Sequence, residues 1–328
     1  MKKIGFGIIG CGDVTEKKSG PAFKKIEGSD LTMVMRRDEE KLIDYAKRHK
    51  IANYTTDYKT LLNSQQVDAV YIATPPKWHH FYVLEAAKYR KPIYVEKPMA
   101  LSVAECEEMV SVCKEYNVPL FVAYYRRGQE KFKYVKSLID QKAIGEIRSF
   151  HFVYTSKLPE LNPERNWMFN KEESGGGLLY DMGSHMIDIL LFFFGNVKVA
   201  YGNSENQSKK FQVHDVTTGM IIFENGVQGS LQMTFNGNAD EDELVVIGSE
   251  GSIRLSIMSN DSVSVIKNGT REDTSFEVLE HVAQPFIQEV VDCLHGNNNM
   301  DRTGISGLKT QKVIEALDLE ERGRFEWE

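Results

Sequence analysis

The chain has 328 residues, a hydrophobic fraction of 41% and a formal net charge of -7. This length predicts two domains that each bury a core, and the acidic balance argues against a nucleic-acid surface, which needs a concentrated basic face. Four cysteines without metal-ligand spacing exclude a disulfide framework, predict no metal site and favour a reducing, cytoplasmic location, and the sequence carries neither a membrane-spanning run nor a signal peptide.

The first 123 residues alternate short apolar runs with segments of helical period. Such runs are typical of strands that are buried on both faces of a parallel sheet. They cover residues 4–9, 31–35, 67–72, 92–95 and 119–122. The β-α-β order predicts an α/β Rossmann domain over residues 1–123, a doubly wound sheet that binds a dinucleotide at the carboxyl ends of its strands.

From residue 124 the pattern changes to shorter strands of alternating polarity. Two runs, 216–223 and 227–235, flank Asn225-Gly226, a pair that tolerates positive φ and predicts a tight hairpin. Ser249-Glu250-Gly251 and Asn268-Gly269 separate further strands, and helices are expected over 186–193, 286–294 and 307–319. We predict a substrate-binding and oligomerisation domain over residues 124–328, built on a largely antiparallel open sheet.

A glycine pair lies directly after the first strand, in the run Gly10-Cys11-Gly12-Asp13-Val14. A loop between a strand and a helix is the context in which backbone amides approach a pyrophosphate, so this run is predicted to bind the cofactor. The third glycine of the G-x-G-x-x-G fingerprint is replaced by Thr15. Because the motif is incomplete, an ordinary pair of turn glycines stays an alternative.

The second strand ends at Met35-Arg36-Arg37-Asp38. NAD-preferring domains usually place a carboxylate there to bond the ribose 2′-hydroxyl. Arg36 and Arg37 can instead pair with a 2′-phosphate and stack on adenine. We therefore predict a preference for NADP, with NAD as the other possible cofactor. The alternative is that both arginines are solvated charges at a helix entrance, with Asp38 as a helix cap.

Two further segments follow predicted strands and are expected at the same edge of the sheet, Thr74-Pro75-Pro76 and Glu96-Lys97-Pro98. Lys97 is a candidate catalytic residue, because an ammonium beside a nicotinamide can bind a substrate oxygen and stabilise alkoxide character. A Glu-Lys-Pro tripeptide on its own is more often a surface turn.

A glycine run in the second domain, Gly175-Gly176-Gly177, leads to Asp181 and His185, which are four residues apart and therefore share one face of a helix. A carboxylate and an imidazole on one face can reach the same polyol, and histidine exchanges protons near neutral pH. The alternative is a structural His-Asp pair, because Asp188 also lies one turn from His185.

Taken together, the glycine loop, the segment from Thr74-Pro75 to His79, Glu96-Lys97-Pro98 and the segment 175–188 resemble the glucose-fructose oxidoreductase/inositol dehydrogenase/MocA family over nearly the whole chain. The resemblance implies an NAD(P)-dependent dehydrogenase or reductase acting on CH-OH groups. It also implies that the lysine of Glu-Lys-Pro contacts nicotinamide and substrate, and that the Asp-x-x-x-His pair binds substrate and transfers the proton. These roles fall to Lys97, Asp181 and His185.

The resemblance implies roles for several other side chains. Thr74, Pro75, His79 and Glu96 join the predicted cofactor-binding set, and Arg126 is expected near the domain junction where the cofactor passes. Trp167 resembles a tryptophan that usually precedes the glycine run, but its usual arginine neighbour is Met168 here, so packing is the favoured interpretation. His281 and Gln284 fit a pocket lining or a subunit contact equally well.

The sequence thus predicts an active site between the domains, acting on a monosaccharide, cyclitol or related vicinal diol. A homo-oligomer, dimer or tetramer, is expected because a broad sheet face needs a cover. Two alternatives stay open, a non-catalytic sensor that binds a dinucleotide on the same fold and a reductase of a non-sugar substrate.

Overall fold

The computed structural model describes residues 2–160 and 166–318. The chain divides into two compact units. The first unit consists of Met1–Gln129 with Val278–Leu308, and the second consists of Glu130–Glu277 with Lys309–Glu328.

The first unit contains a six-stranded sheet in the order β3-β2-β1-β4-β5-β6, and every neighbouring pair is parallel. Its strands are β1 (Ile4–Ile9), β2 (Ser29–Met35), β3 (Asn53–Thr55), β4 (Ala69–Ile72), β5 (Ile93–Val95) and β6 (Leu120–Val122). This order confirms the predicted doubly wound Rossmann sheet. Strand β3 was not among the predicted strands, because its three residues are largely exposed and carry no apolar run.

The helices described here are α1 (Asp13–Lys17), α2 (Ala22–Lys25), α3 (Glu39–Arg48), α4 (Tyr58–Asn63), α5 (His79–Lys88), α6 (Val103–Glu115), α7 (Glu130–Asp140), α8 (Lys171–Ser174), α9 (Ser184–Phe194), α10 (Gln284–Leu294) and α11 (Ile305–Leu317). The expected helices over 186–193 and 286–294 are confirmed as α9 and α10. The one expected over 307–319 begins two residues earlier, and Leu319 lies outside the described residues.

Both faces of the first sheet are buried, as the continuous apolar runs predict. Successive residues of β4 point to opposite faces. Tyr71 packs in a cluster with Phe6 and Phe23, whereas Val70 and Ile72 pack in a second cluster on the other face. The strand ends therefore meet at one edge, with their side chains fixed by packing on two sides.

Helix α10 belongs to the first unit, although the predicted second domain contains all residues after 123. Its buried residues Phe286, Ile287 and Val290 lie in the same cluster as Phe6, and the Phe286 ring lies 6.3 Å from the Tyr94 ring. After residues 130–277, which belong to the second unit, the chain thus returns to complete the core of the first unit. Apolar periodicity alone does not identify which core a helix joins.

The second unit contains an eight-stranded sheet in the order β14-β13-β12-β11-β7-β10-β9-β8. Its strands are β7 (Ile147–Thr155), β8 (Val197–Glu205), β9 (Val216–Phe223), β10 (Gln228–Thr234), β11 (Glu241–Gly248), β12 (Gly251–Leu255), β13 (Val263–Lys267) and β14 (Thr270–Thr274). Only the β10-β7 pair is parallel among these neighbours. The predicted largely antiparallel sheet is therefore confirmed.

The predicted hairpin between β9 and β10 is confirmed, but its turn is longer than a two-residue turn. The Phe223 amide donates to the Val227 carbonyl at 2.8 Å, which leaves residues 224–226 as the connection. Gly226 has φ +88°, whereas Asn225 does not have positive φ. A three-residue connection of this kind needs only its last residue in the left-handed region.

One segment, Lys171–Phe194, is long and apolar enough to cross a membrane by length and composition alone. However, 83% of its most apolar window is buried inside the protein. It contains α8 and α9, and α9 contributes Ile187, Leu190 and Phe194 to the core of the second unit. The apolar character of this segment is thus explained by packing against the eight-stranded sheet.

Candidate active site

The predicted glycine loop turns tightly at the carboxyl end of β1. The amides of Gly10 and Cys11 donate to the Met35 carbonyl at 2.9 and 3.2 Å, which fixes the loop to the end of β2. Gly10 has φ +90°, and a Cβ there would lie 2.6 Å from the Thr74 methyl carbon. Only glycine therefore allows the loop to pack this closely against the residue that follows β4.

Thr15 occupies the position of the third glycine in the fingerprint. Its hydroxyl accepts a hydrogen bond from the Gly12 amide at 2.9 Å and lies 2.8 Å from the Gly12 carbonyl. The side chain is fully buried. Because Gly12 precedes the first turn of α1, the next amides, those of Asp13 and Val14, have no helical carbonyl to bond. These two amides are the loop's candidates for binding an anionic group.

The two arginines after β2 have different environments. Arg36 is half-buried, and its Nη1 donates to the Cys11 carbonyl at 3.1 Å. Arg37 is exposed, and its guanidinium carbon lies 4.9 Å from the centre of the Trp78 ring. Asp38 caps α3 by accepting from the Lys41 amide at 3.1 Å. The structure thus brings Arg36 into contact with the glycine loop, whereas Arg37, the next residue, stacks on Trp78.

Cys11, in the middle of the glycine loop, is 1% exposed. Burial raises the pKa of its thiol to about 12, although the neighbouring Arg36 charge opposes this shift. A thiol with such a pKa is neutral at physiological pH and a poor nucleophile. Cys11 is therefore placed to pack within the loop.

His79 connects the two loops that follow β4 and β5. Its Nε2 lies 2.8 Å from the Thr74 carbonyl and its Nδ1 lies 2.9 Å from the Pro98 carbonyl. The ring is fully buried, and burial lowers its pKa from the ordinary 6.5 to about 4, outweighing the carbonyl contacts that favour a charged ring. The neutral ring has one N–H and donates to one of these two carbonyls, and its burial between the two loops restricts the segments that carry Pro75 and Lys97.

Glu96 and Lys97 end β5 at the same edge of the sheet. Glu96 Oε2 accepts from the Lys97 amide at 3.2 Å, and Glu96 Oε1 accepts from the Tyr71 hydroxyl. Burial raises the pKa of Glu96, whereas the Tyr71 hydrogen bond and the Lys97 charge lower it. Lys97 itself is half-buried, so its side chain retains access to solvent.

Arg126 lies in a short 3₁₀ helix, Tyr125–Gly128, that follows β6. It is 9% exposed, and its guanidinium carbon lies 5.6 Å from the centre of the Tyr125 ring. A buried arginine stacked on an aromatic ring has a restricted orientation. Because Arg126 follows β6, which pairs in parallel with β5, it lies at the same edge of the sheet as Lys97.

In the second unit, the glycine run makes room for its neighbours. Gly177 has φ +67°, and a Cβ there would lie 2.4 Å from a Val213 methyl carbon. A Cβ on Gly176 would lie 2.2 Å from the Tyr180 ring. The Ser174 hydroxyl accepts from the Gly177 amide at 2.9 Å, which closes the turn after α8. The run therefore sets where the following helix begins.

Asp181 lies in a π-helical turn, Leu179–Gly183, that continues directly into α9, where His185 lies in the first turn. Asp181 is half-buried and His185 is 5% exposed. A single π turn inside a helix widens it locally and is frequent at functional sites. The two residues therefore lie on consecutive turns, although the geometry between them is not that of a regular α-helix.

Asp188, the alternative partner of His185, is 1% exposed. Its Oδ1 accepts a hydrogen bond from the Thr310 hydroxyl of α11 at 3.2 Å. This bond links two buried helices of the second unit. Asp188 thus has a structural contact of its own, on α11.

The remaining residues of interest have structural contacts. Trp167 is half-buried and packs on the core of the second unit, beside the buried Met168. His281 Nδ1 contacts the Lys17 carbonyl at 2.6 Å and its Nε2 contacts Lys25 Nζ at 2.7 Å. Gln284 begins α10, with its amide donating to the His281 carbonyl.

Three side chains at the edge of the first sheet were not singled out from the sequence. Trp78 stacks under Arg37, and Tyr71 and Ser19 share a hydrogen bond of 2.9 Å next to Glu96. A tyrosine inside a strand that is buried on both faces needs a partner for its hydroxyl. That rule could have marked Tyr71 from the sequence, but nothing in the sequence marks Ser19 as the partner.

Both halves of the chain match known family profiles. Residues 4–124 match "Oxidoreductase family, NAD-binding Rossmann fold", and residues 132–254 match "GFO/IDH/MocA C-terminal domain".

Two curated proteins are similar over most of their length. Oxidoreductase P35 of Formosa agariphila is 40% identical over 90% of this chain and 92% of its own. D-xylose 1-dehydrogenase [NADP(+)] of Haloarcula marismortui is 28% identical over 96% and 90%. Among solved structures, the aldose-aldose oxidoreductase of Caulobacter crescentus, complexed with glycerol, superposes with a TM-score of 0.87 at 23% identity, covering 96% of each chain.

Proposed function

The chain belongs to the GFO/IDH/MocA family of NAD-binding oxidoreductases, and from this premise we propose that it oxidises or reduces a hydroxyl-bearing carbon of a sugar, cyclitol or related vicinal diol. The observation that carries the proposal is the position of Lys97, half-buried at the carboxyl end of β5, next to the strand whose loop packs on the glycine turn. Curated relatives named as sugar dehydrogenases support the substrate class.

The residues of the first unit fit a dinucleotide. A Cβ on Gly12 would meet nothing closer than Arg36 Nη1 at 3.9 Å, so this side of the loop is open to close approach. Thr74 Oγ1 is buried and has no hydrogen-bond partner within residues 2–160 and 166–318. The loop from Gly10 to Val14, Arg36, Thr74 and Pro75 would bind the dinucleotide, and Arg126 would line its path. When bound, its nicotinamide accepts or supplies the hydride.

Lys97 binds the reacting oxygen of the substrate in this proposal. Its ammonium favours negative charge on that oxygen, which lowers the barrier in either direction. Glu96 and His79 restrict the loop that carries it, through the Lys97 amide and the Pro98 carbonyl. Such restriction matters because catalytic groups act only within a narrow range of positions.

In the second unit, Asp181 binds a substrate hydroxyl and His185 transfers the proton at an imidazole nitrogen. During oxidation the neutral ring accepts the proton of the reacting hydroxyl, and during reduction the imidazolium returns it. Burial of His185 limits competition from water. Asp188 has its contact with Thr310, which favours a structural role for Asp188.

We further propose that NADP is preferred over NAD. Arg36 lies on the glycine loop and Arg37 stacks on Trp78, so two guanidinium groups follow β2 where NAD-preferring domains usually carry an acid. A 2′-phosphate offers both groups a charge-assisted partner. The stacked Arg37 and Trp78 offer a flat surface for adenine.

We also propose that the protein is a homo-oligomer, either a dimer or a tetramer, and that it lies in the cytoplasm. Large apolar side chains are exposed on the second sheet, with Tyr201 at 56% and its cross-strand neighbour Met220 at 43%. Apolar side chains paired on an open sheet face favour a subunit contact. All four cysteines are free and buried, which supports a reducing compartment.

The test is a screen of NAD(P) reduction against sugars, cyclitols, polyols and non-sugar alcohols, with reduction of the matching carbonyl compounds as the reverse assay. Wild type is expected to turn over one class of vicinal diol. Lys97→Ala is expected to lower kcat/KM by about 10²- to 10³-fold with cofactor affinity unchanged. The control, Lys59→Ala, removes a lysine of α4 from the same unit and should retain full turnover.

Two outcomes would replace the proposal. Turnover confined to non-sugar carbonyl compounds would identify a reductase of another substrate class. Tight cofactor binding without turnover of any compound, together with a cofactor-dependent protein partner, would identify a sensor. A Lys97→Ala variant with undiminished turnover would remove the lysine from the mechanism.

A further inference from the structure

A chain of hydrogen bonds lies behind Lys97 in the first unit. Ser19 Oγ lies 2.9 Å from the Tyr71 hydroxyl, which in turn contacts Glu96 Oε1. The other carboxyl oxygen, Oε2, accepts from the Lys97 amide at 3.2 Å. Ser19 is 1% exposed and Tyr71 is fully buried. Both hydroxyl groups are therefore removed from bulk water and bond within the protein.

This chain connects two loops that the proposed function uses separately. Ser19 follows α1, and its hydroxyl also lies 3.3 Å from the Val14 carbonyl, in the helix that begins at the glycine loop. Tyr71 extends from the middle of the sheet, on β4. Glu96 immediately precedes Lys97. The end of the cofactor loop and the lysine loop are thus joined through a single tyrosine.

The protons of the chain balance in two arrangements. When Glu96 is ionised, Tyr71 donates to the carboxylate and Ser19 donates to Tyr71. When Glu96 gains a proton, the direction reverses, so that Glu96 donates to Tyr71, Tyr71 to Ser19 and Ser19 to the Val14 carbonyl. Every proton has an acceptor in both states. The carboxyl can therefore change its charge without leaving a buried hydroxyl unsatisfied.

The groups around Glu96 favour its ionised form against the effect of burial. The hydrogen bond from Tyr71 lowers the pKa of Glu96, as do the charges of Lys97 and, more weakly, Lys18. Tyr94, stacked on Tyr71 with ring centres 4.9 Å apart, also faces Glu96. Burial and the Glu96 charge hold the pKa of Tyr94 well above its ordinary range, so Tyr94 is neutral. Tyr125 interacts electrostatically with Tyr94 and also raises the pKa of Tyr94.

We propose that Tyr71, supported by Ser19, is a positioning residue that keeps the Glu96 carboxylate bonded to the Lys97 main chain and so holds the lysine ready for its reaction. The proposal rests on the function assigned to Lys97. It assigns to Glu96 the task of fixing the Lys97 backbone and favouring the charged ammonium. Tyr71 acts through Glu96 and touches neither substrate nor cofactor.

The test compares Tyr71→Phe with Tyr94→Phe in the full-length protein. The two tyrosines are register neighbours on β4 and β5, stacked and almost fully buried. The Tyr94 hydroxyl has no hydrogen-bond partner in the part of the chain that the structure describes. Tyr94→Phe therefore removes the same group from the same environment without touching the chain, and should leave activity unchanged.

The first readout is the titration of Glu96, followed by ¹³C NMR of protein labelled at the glutamate carboxyl carbon and assigned with Glu96→Gln. Loss of a hydrogen bond to a charged group should move the Glu96 midpoint about one to two pH units upward in Tyr71→Phe. Tyr94→Phe should leave the midpoint unchanged. Ser19→Ala should move it in the same direction by less, and it supplies the test if Tyr71→Phe does not fold.

The second readout is the pH profile of kcat/KM for the reduction reaction, in which His185 acts as an acid and therefore contributes the alkaline limb. The acidic limb should move upward with the Glu96 midpoint in Tyr71→Phe, so that the rate on that limb falls about 10- to 100-fold, with cofactor affinity unchanged. A tyrosine that only packs would leave the limb in place. A moved Glu96 midpoint with an unmoved limb would overturn the positioning role.

The two proposals fail in different ways. The carboxyl titration needs no turnover, so an unmoved Glu96 midpoint in Tyr71→Phe and Ser19→Ala overturns this inference whatever the enzyme's substrate. Undiminished turnover in Lys97→Ala overturns the proposed function instead, and the role of Tyr71 falls with it.

Discussion

The two units fix their candidate catalytic residues by different physical means. In the first unit, loops at the ends of parallel strands are joined by polar contacts, such as His79 between the Thr74 and Pro98 carbonyls and Glu96 on the Lys97 amide. In the second unit, His185 lies on a helix whose residues are almost all buried, and the glycine run before it packs directly on Val213.

This difference shows which kind of change should disturb the candidate residues of each unit. Hydrogen bonds to buried groups depend on protonation and on the loss of a single donor or acceptor. Close packing depends on volume, because a core without space cannot accept an added methyl group. We therefore expect the first unit to respond to pH and to polar substitutions, and the second unit to respond to changes in side-chain size.

The largest effect is expected for His185→Ala in the second unit. Loss of a general base or acid should lower kcat/KM by about 10²- to 10⁴-fold and flatten the acidic limb of the oxidation profile, without loss of cofactor binding. His80→Ala, which removes a histidine of α5 that pairs with Glu108 of α6, is the control. A normal rate combined with a lower melting temperature in His185→Ala would make the histidine structural.

Gly177→Ala tests whether close packing limits the second unit. Positive φ costs an alanine about 1–2 kcal/mol, and the clash with Val213 should add about 1–3 kcal/mol of overpacking. Gly226→Ala is the matched control, because Gly226 has φ +88° and nothing within 4 Å of its Cβ position. Urea unfolding should show a clearly larger loss for Gly177→Ala. Equal losses would mean that packing on Val213 contributes nothing.

The pH dependence of the free energy of unfolding tests whether the buried polar group of His79 makes the first unit sensitive to pH. Its folded pKa, about 4, lies below the ordinary 6.5 because the ring is buried, so the unfolded chain binds the proton more readily. The contribution is complete above pH 6.5 and is lost as pH falls toward 4. Between pH 6.5 and 5 the free energy of unfolding should fall by about 1.6 kcal/mol from this residue.

Denaturant unfolding of His79→Gln at both pH values measures that contribution. The variant should lack this part of the pH dependence, whereas His80→Gln should behave like wild type. A slope in His79→Gln as steep as in wild type would assign the pH dependence to other groups.

The most local effect is expected for Arg36→Ala, a polar substitution beside the glycine loop. Loss of one charge-assisted bond to a 2′-phosphate should weaken NADP(H) binding about 10- to 150-fold and leave NAD(H) binding nearly unchanged. Arg48→Ala, which removes an arginine paired with Glu16 at the surface, is the control. Titration of both cofactors decides the matter, and equal wild-type affinities for NADP(H) and NAD(H) would contradict the preference.

Local pattern was sufficient for most of the first unit. Apolar runs that are buried on both faces identify the strands of a parallel sheet, and that topology brings their carboxyl ends to one edge. The positions of Gly10, Thr74 and Lys97 at this edge therefore follow from the sequence alone. The hairpin at Gly226 and the turn at Asn268-Gly269 are likewise local, because positive φ selects their residues.

Contacts between distant residues were decided only by the tertiary structure. Helix α10 joins the core of the first unit, Ser19 reaches Tyr71 across 52 residues, and the glycine run packs on Val213. Periodicity shows that a helix or strand has a buried face, but not which surface covers it. The sequence determined the kinds of elements and the edge that carries the chemistry. The partners of buried polar groups were decided by packing, because their choice depends on which segments the fold brings together.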